Sequence, residues 1–140
     1  LSLIRLWSGL TYNDFSFTNY TVDNTDHSGK TVTGVPKNTY LGGLDINTSK
    51  GFYLYSSINH TSKLPLNDAN NEFAKAYTLL QAKIGWKKQL GSTAGIELFA
   101  GADNLLNEKY SLGNDINAFG RRYYNPSPVN NYFGGLIVNF

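Results

Sequence analysis

The C-terminal run Asn131–Phe140 alternates between apolar and mixed positions at the period of a β-strand. Tyr132, Leu136, Val138 and Phe140 fall on one side, because successive side chains of a strand point to opposite faces. A soluble domain has to bury such a stripe against a second layer, whereas an outer-membrane barrel presents it to lipid between aromatic girdles. This strand therefore limits the chain to two kinds of β-structure.

The amino-acid composition further restricts the fold and function classes that are open to the chain. The chain has 140 residues with 10 Tyr, 8 Phe and 14 Gly, which favours strands and turns. No apolar run reaches the length of about 18 residues that a membrane-spanning helix needs. The absence of Cys excludes disulfide and thiol chemistry, and a net charge of +2 without a basic cluster does not indicate nucleic-acid binding.

Six stretches show period-two patterning and are predicted as strands of an antiparallel, up-and-down sheet in an all-β fold. Each has about the length that a tilted strand needs to cross a bilayer, which is about 9 to 11 residues. The stretches are residues 1–17, 38–47, 52–62, 77–88, 95–106 and 131–140. The assignment of faces stays open in residues 1–17 and 52–62, because large apolar side chains fall on both sides.

The predicted connections alternate in length along the chain. Residues 47–51 and 89–94 are short turns, whereas residues 20–37, 63–76 and 107–130 are long and polar. Outer-membrane barrels have short periplasmic turns and long extracellular loops. This pattern predicts that Phe140 and Trp86 lie near the periplasmic interface. It also predicts that Lys83 and Glu97 pair across one hairpin on the face turned away from lipid.

Six strands are too few for a closed membrane barrel, since known single-chain barrels start at about eight strands. An open sheet would leave two unpaired edges, which lipid does not tolerate. The chain also begins at Leu1 without an initiator Met or a signal segment. We therefore expect a piece of a longer protein, with the missing strands before Leu1.

Several segments together resemble the C-terminal barrel strands of TonB-dependent outer-membrane receptors, the siderophore-type branch most of all. They are residues 34–39 (GVPKNT), 66–70 (LNDAN), 100–110 (AGADNLLNEKY) and 122–128 (RYYNPSP), followed by the final strand. The resemblance implies that residues 1–140 are the C-terminal fragment of a barrel of about 22 strands, the C-terminal part of a transmembrane β-barrel. The plug domain that such a barrel encloses is absent from the sequence.

The resemblance also implies a function and a set of partners. It predicts an active importer, not an enzyme, in the outer membrane of a Gram-negative bacterium, with no cofactor. TonB acts on such importers through the plug, and the barrel-assembly machinery recognises a C-terminal signal that Phe140 resembles. Phe133 departs from that signal, because a polar residue is expected there. A ferric siderophore is the first candidate ligand, with haem, cobalamin or an oligosaccharide as alternatives.

Arg121, Arg122, Tyr123 and Tyr124 are the candidate ligand-binding residues, in the last long loop. Arginine pairs with oxyanions through two parallel hydrogen bonds and stacks on flat groups, which suits an anionic, aromatic ligand. The alternative is a packing or girdle role, since Tyr is common at barrel interfaces.

Other polar residues offer weaker candidates for chemistry. Asp23, Asp26 and His27 could hold a divalent cation, but they lack the ligand spacing of a calcium loop, and a solvated loop is the prediction. Asp68 and Glu72 lie in a polar loop that does not favour acid–base catalysis. No Ser, His and Asp constellation is visible.

Two further functions remain open at this stage. A soluble β-sandwich that binds carbohydrate or mediates adhesion would also alternate in polarity and carry long loops at one end. A smaller porin-like barrel for passive diffusion would share the strands but lack a plug.

Overall fold

The computed structural model describes residues 2–140, whose regular secondary structure is all β-strand apart from one short 3₁₀ turn at Phe119–Arg121. Leu1, in the first predicted strand, lies outside the described residues. Six long strands form one sheet: β1 (Leu3–Tyr12), β4 (Asn38–Asn47), β5 (Phe52–Thr61), β8 (Tyr77–Leu90), β9 (Ala94–Asp103) and β12 (Asn131–Asn139). Six short strands pair within the long loops: β2 (Thr21–Val22), β3 (Thr25–Asp26), β6 (Leu64–Pro65), β7 (Phe73–Ala74), β10 (Ser111–Asn114) and β11 (Tyr124–Pro126).

The main sheet is an antiparallel meander with the order β1-β4-β5-β8-β9-β12. Each long strand therefore pairs with the long strands before and after it along the chain, which confirms the predicted all-β, up-and-down arrangement. Within residues 2–140, β1 and β12 each pair on one side only. The two short turns lie at one end of the sheet and the three long loops at the other.

The strand bounds differ from the predicted ones mainly at the loop end of the sheet. The first strand ends at Tyr12 instead of Phe17. Beyond it, the Asn13 side chain turns to donate a 2.9 Å hydrogen bond to the Pro36 carbonyl. The fifth predicted strand ends early because Asn104 takes a positive φ of 50°, which breaks the ladder.

The pairing registers place every even-numbered residue of the six long strands on one face and every odd-numbered residue on the other. We call these the apolar face and the charged face. The charged face carries Arg5, Asp45, Lys83, Lys87, Glu97 and Asp103. The apolar face carries a single charged strand residue, Lys88, near the turn end of β8. The register also resolves the two strands whose faces the sequence left open.

The apolar face is uncovered in the described part of the chain. Every one of the six strands has an exposed large side chain on this face, and other residues of β4 and β5, such as Leu44 and Leu54, are half-buried. The exposed fractions are 65% for Ile4, 41% for Tyr40, 56% for Phe52, 58% for Ile84, 58% for Leu98 and 61% for Leu136. The buried apolar cluster of the protein lies in the long loops instead. No helix within residues 2–140 is long and apolar enough to cross a membrane.

Aromatic rings on the charged face cover glycines of the neighbouring strands. In each pair the glycine lies directly opposite the aromatic residue, and an added Cβ would overlap the ring. The pairs are Trp7 with Gly43, Tyr53 with Gly85, Phe133 with Gly101, and Phe99 with Gly135. A ring in this position fills the gap that the missing side chain leaves and fixes the register.

Candidate functional site

The three long loops, residues 13–37, 62–76 and 104–130, pack together at one end of the sheet and form what we call the loop cap. The Gly34 amide donates to the Pro65 carbonyl at 2.9 Å, which links the first loop to the second. The Asn117 amide donates to the Leu66 carbonyl at 2.9 Å, which links the third loop to the second. The buried cluster of the cap consists of Leu64, Leu66, Ala74 and Tyr123.

The Asp68 carboxylate joins all three loops. It accepts hydrogen bonds from the Thr33 hydroxyl at 2.5 Å, the Tyr20 hydroxyl at 3.1 Å and the Asn117 side-chain amide at 2.9 Å. Burial acts to raise the pKa of Asp68, but these hydrogen bonds outweigh it and hold the pKa below its ordinary value. With an ionised carboxylate whose oxygens are already engaged, Asp68 acts as a structural link between loops.

Two asparagines with positive φ fix further loop segments. Asn70, with φ 55°, accepts a hydrogen bond from the Thr31 amide at 2.7 Å and donates to the Thr31 carbonyl at 3.0 Å. Asn104 is 4% exposed and bonds both backbone groups of Glu108, accepting from its N–H at 2.9 Å and donating to its carbonyl at 2.8 Å. Asn tolerates the left-handed region better than most residues, so both positions favour it.

The charged face carries two ion pairs between neighbouring strands. Lys83 Nζ lies 3.5 Å from Glu97 Oε1, which confirms the predicted pairing across the hairpin. Glu97 also accepts a 2.6 Å hydrogen bond from the Tyr53 hydroxyl. Arg5 Nε donates to Asp45 Oδ2 at 2.7 Å, and Asp45 is 8% exposed. Four of the six charged strand residues of this face are therefore paired with a residue of opposite charge.

The four predicted ligand-binding residues have different environments. Tyr123 is 7% exposed and lies in the buried cluster of the loop cap, in agreement with a packing role. Arg121 is exposed and forms a 3.1 Å ion pair with Glu72. Arg122 is exposed, and so is Tyr124 at 55%. A ligand-binding role for the set stays a prediction.

The loop cap also contains a pocket of about 400 Å³ that the sequence did not reveal. It lies between the β6–β7 hairpin and the β10–β11 hairpin, next to the start of β8. Among its lining residues are Lys75, Tyr77, Lys109, Tyr110, Asn114 and Tyr124. The sequence does show Lys followed closely by Tyr at residues 75–77 and 109–110, but only the fold brings the two segments together.

The acidic cluster of the first loop forms a turn. Asp26 Oδ1 accepts a 2.8 Å hydrogen bond from the Ser28 amide, and hydrogen bonds from Ser28 hold the pKa of Asp26 below its ordinary value. The ring of neighbouring His27 lies against Tyr20, with 5.8 Å between centroids. In residues 2–140, no group of three or more His, Asp or Glu side chains is placed to hold a metal ion.

No protein-family model matches the chain. Among solved structures, it is similar to BauA, the ferric preacinetobactin receptor from Acinetobacter baumannii, with a TM-score of 0.77 and 24% sequence identity. The alignment covers 98% of this chain and 20% of that chain, so this chain spans about a fifth of the receptor's length. At this identity the likeness establishes the fold.

Proposed function

We propose that this chain is the C-terminal section of the β-barrel of a TonB-dependent receptor, which imports a ferric siderophore across the outer membrane of a Gram-negative bacterium. The observation that carries the proposal is the uncovered apolar face, which runs across all six long strands. The sequence resemblance and the structural likeness to a ferric preacinetobactin receptor support the same family. An uncovered apolar face of this kind suits contact with the hydrocarbon of a membrane.

Aromatic residues at both ends of the apolar face support a membrane setting. Tyr12, Tyr40 and Tyr132 lie towards the loop cap, whereas Phe52 and Trp86 lie near the short turns. The positions between them are aliphatic or small. This distribution matches the two aromatic girdles that flank the lipid-facing band of an outer-membrane barrel.

The height of the apolar face agrees with such a band. Tyr132 and Phe140 mark its two ends on the C-terminal strand, eight positions apart. At about 3.4 Å per residue the separation is about 27 Å along the strand. A strand tilt of about 40° reduces it to about 20 Å, close to the band height of about 25 Å in known barrels.

The charged face suits the inside of a larger barrel, and the two open edges suit pairing with further strands of that barrel. The ion pairs of Lys83 with Glu97 and of Arg5 with Asp45 are costly in hydrocarbon and acceptable next to a plug or water. The free edges of β1 and β12 need partners in lipid, and the remaining strands of the parent barrel would supply them. TonB would act through the absent plug, and the barrel-assembly machinery would engage the exposed Phe140.

The loop cap would lie on the extracellular side and take part in ligand capture. The exposed side chains of Arg121, Arg122 and Tyr124 can reach an incoming anionic ligand, and Tyr123 supports them from the buried cluster. A ferric siderophore fits this chemistry first, and haem, cobalamin or an oligosaccharide are alternative outcomes of the test.

The experiment is an uptake assay in a strain that lacks the parent gene. We expect loss of growth and of iron uptake on one ferric siderophore under iron limitation, with recovery from a plasmid copy. Growth on inorganic iron serves as the control, because a TonB-dependent importer of one complex leaves that route unaffected. Unchanged iron uptake together with a defect on haem, cobalamin or a sugar would assign a different ligand.

Extraction separates this proposal from a soluble sandwich module. We expect the parent protein to stay with the outer-membrane fraction in plain buffer and to enter solution only with detergent. Release by buffer alone would contradict the membrane assignment and support the β-sandwich alternative.

A further inference from the structure

We infer that the loop-cap pocket binds an aromatic anion that also carries a hydrogen-bond donor, such as a hydroxylated aryl carboxylate group. The inference rests on the proposed function and names the chemical class of ligand that the extracellular loops recognise. Three features of the pocket support it: its size and rings, its unpaired cations, and an unsatisfied acceptor.

The pocket has room and surfaces for an aromatic group. Its volume of about 400 Å³ exceeds the roughly 150 Å³ that holds a benzene ring in an apolar protein cavity. The rings of Tyr77 and Tyr110 lie 5.1 Å apart between centroids and form one wall. Tyr124, which is 55% exposed, adds a further aromatic surface. An aromatic group can stack on these rings while staying partly hydrated at its edge.

Two lysines make the pocket attractive to anions. Lys75 and Lys109 both line it and are both exposed. Neither takes part in any of the ion pairs formed within residues 2–140. The ammonium groups are therefore available to an oxyanion, and no acidic side chain is among the residues that line the pocket.

One side-chain oxygen among the lining residues lacks a hydrogen-bond partner. The Oδ1 atom of Asn114 is buried and accepts no hydrogen bond in the described part of the chain. A buried acceptor without a donor is costly, and a donor from a bound ligand would remove that cost after a small shift of the amide. The pocket therefore prefers a ligand that brings a hydroxyl or N–H group as well as a negative charge.

Protocatechuate is a suitable probe, because it combines an aromatic ring, a carboxylate and phenolic donors. We expect the intact parent protein, purified in detergent, to bind it saturably with a Kd of about 1 mM or tighter in calorimetry. The double variant Lys75→Ala/Lys109→Ala should weaken binding about tenfold. The matched control Lys30→Ala/Lys50→Ala removes the same charge outside the pocket and should bind as the wild type does.

Two further comparisons separate ligand contact from folding. Benzoate, which lacks the donors, should bind more weakly than protocatechuate, and catechol, which lacks the carboxylate, should be insensitive to the loss of both lysines. Asn114→Leu should remove the preference for protocatechuate over benzoate while benzoate binding stays unchanged. A misfolded variant would bind neither ligand. A circular dichroism spectrum equal to that of the wild type would exclude misfolding as the cause of weaker binding.

The inference is overturned if the wild-type protein does not saturate with protocatechuate, or if both double variants bind alike. Its failure is distinguishable from failure of the proposed function. Siderophore uptake without protocatechuate binding would refute the ligand-binding role of the pocket and leave the proposed import function standing. Pocket-dependent binding of protocatechuate without a role in iron uptake would support the pocket and refute the assignment to ferric-siderophore import.

Discussion

Leu98 offers the sharpest test of a lipid-facing surface. It lies on the apolar face near the middle of β9, and 58% of its side chain is exposed. A lysine at the bilayer midplane of a barrel costs about 2 to 4 kcal/mol. Since about 1.4 kcal/mol corresponds to a factor of ten, Leu98→Lys should lower the folding equilibrium constant in a membrane by about 30- to 700-fold.

The loss of stability caused by an added lysine should depend on which face of the sheet carries it and on its depth in the bilayer. Gln81 is exposed on the charged face of the neighbouring strand, so Gln81→Lys should change stability by less than about 0.5 kcal/mol. Ile96 lies opposite the native Lys88, close to the short turns. A lysine is tolerated at that level of the apolar face, and Ile96→Lys should cost only about 0 to 1 kcal/mol, the value for an interface position.

The measurement is urea unfolding of the intact parent protein refolded into lipid vesicles, supported by the amount of folded protein in the outer membrane. The expected order of destabilisation is Leu98→Lys first, then Ile96→Lys, then Gln81→Lys. Equal losses at Leu98 and Gln81 would show that the two faces do not meet different surroundings. A larger loss at Ile96 than at Leu98 would refute the proposed depth.

Four further predictions concern the charged face and the loop cap. Gly85→Ala should destabilise by about 1 to 3 kcal/mol in the same urea assay, because the added methyl group meets the ring opposite it, whereas Gly9→Ala, with open space, should cost less. Asp68→Ala should speed limited proteolysis of the long loops, with Asp115→Ala as the unaffected control, because Asp115 is exposed and takes part in no ion pair within residues 2–140. In the wild type, the lowered pKa of Asp68 means that its contribution is present above about pH 4 and lost as the pH falls further, so protease protection should fall in acid. Tyr123→Ala should also loosen the cap, by about 2 to 5 kcal/mol, and unchanged protection would instead argue for a pure ligand role.

The sheet could be predicted from the sequence wherever apolar and polar residues alternate cleanly. Residues 38–47 have the predicted bounds, and the faces of β8, β9 and β12 agree with the parity of their residues. The faces of β1 and β5 could not be assigned, because Trp7 and Tyr53 are large apolar residues on the charged face. Their rings cover glycines of neighbouring strands, and this role is visible only when the register is known.

The contacts within the loop cap could not be predicted from the sequence, for a related reason. Asp68 is one of many polar residues in its loop, and its three hydrogen-bond donors come from positions that are 35, 48 and 49 residues away. No local pattern signals such contacts, because loop conformations depend on packing between segments that are distant along the chain. The same limit applies to the pocket, whose two lysines come from different loops.

Phe133 helps to hold the last strand of the sheet in register. A polar residue is expected at this position in the family that the chain resembles, yet the phenyl ring points to the charged face, lies over Gly101 and contacts Phe99, with 6.5 Å between ring centroids. Phe99 in turn covers Gly135 of the same strand pair. The two phenylalanines and the two glycines therefore interlock β9 with β12. This interlocking opposes a slip by one residue, which would turn the apolar stripe of β12 to the charged face.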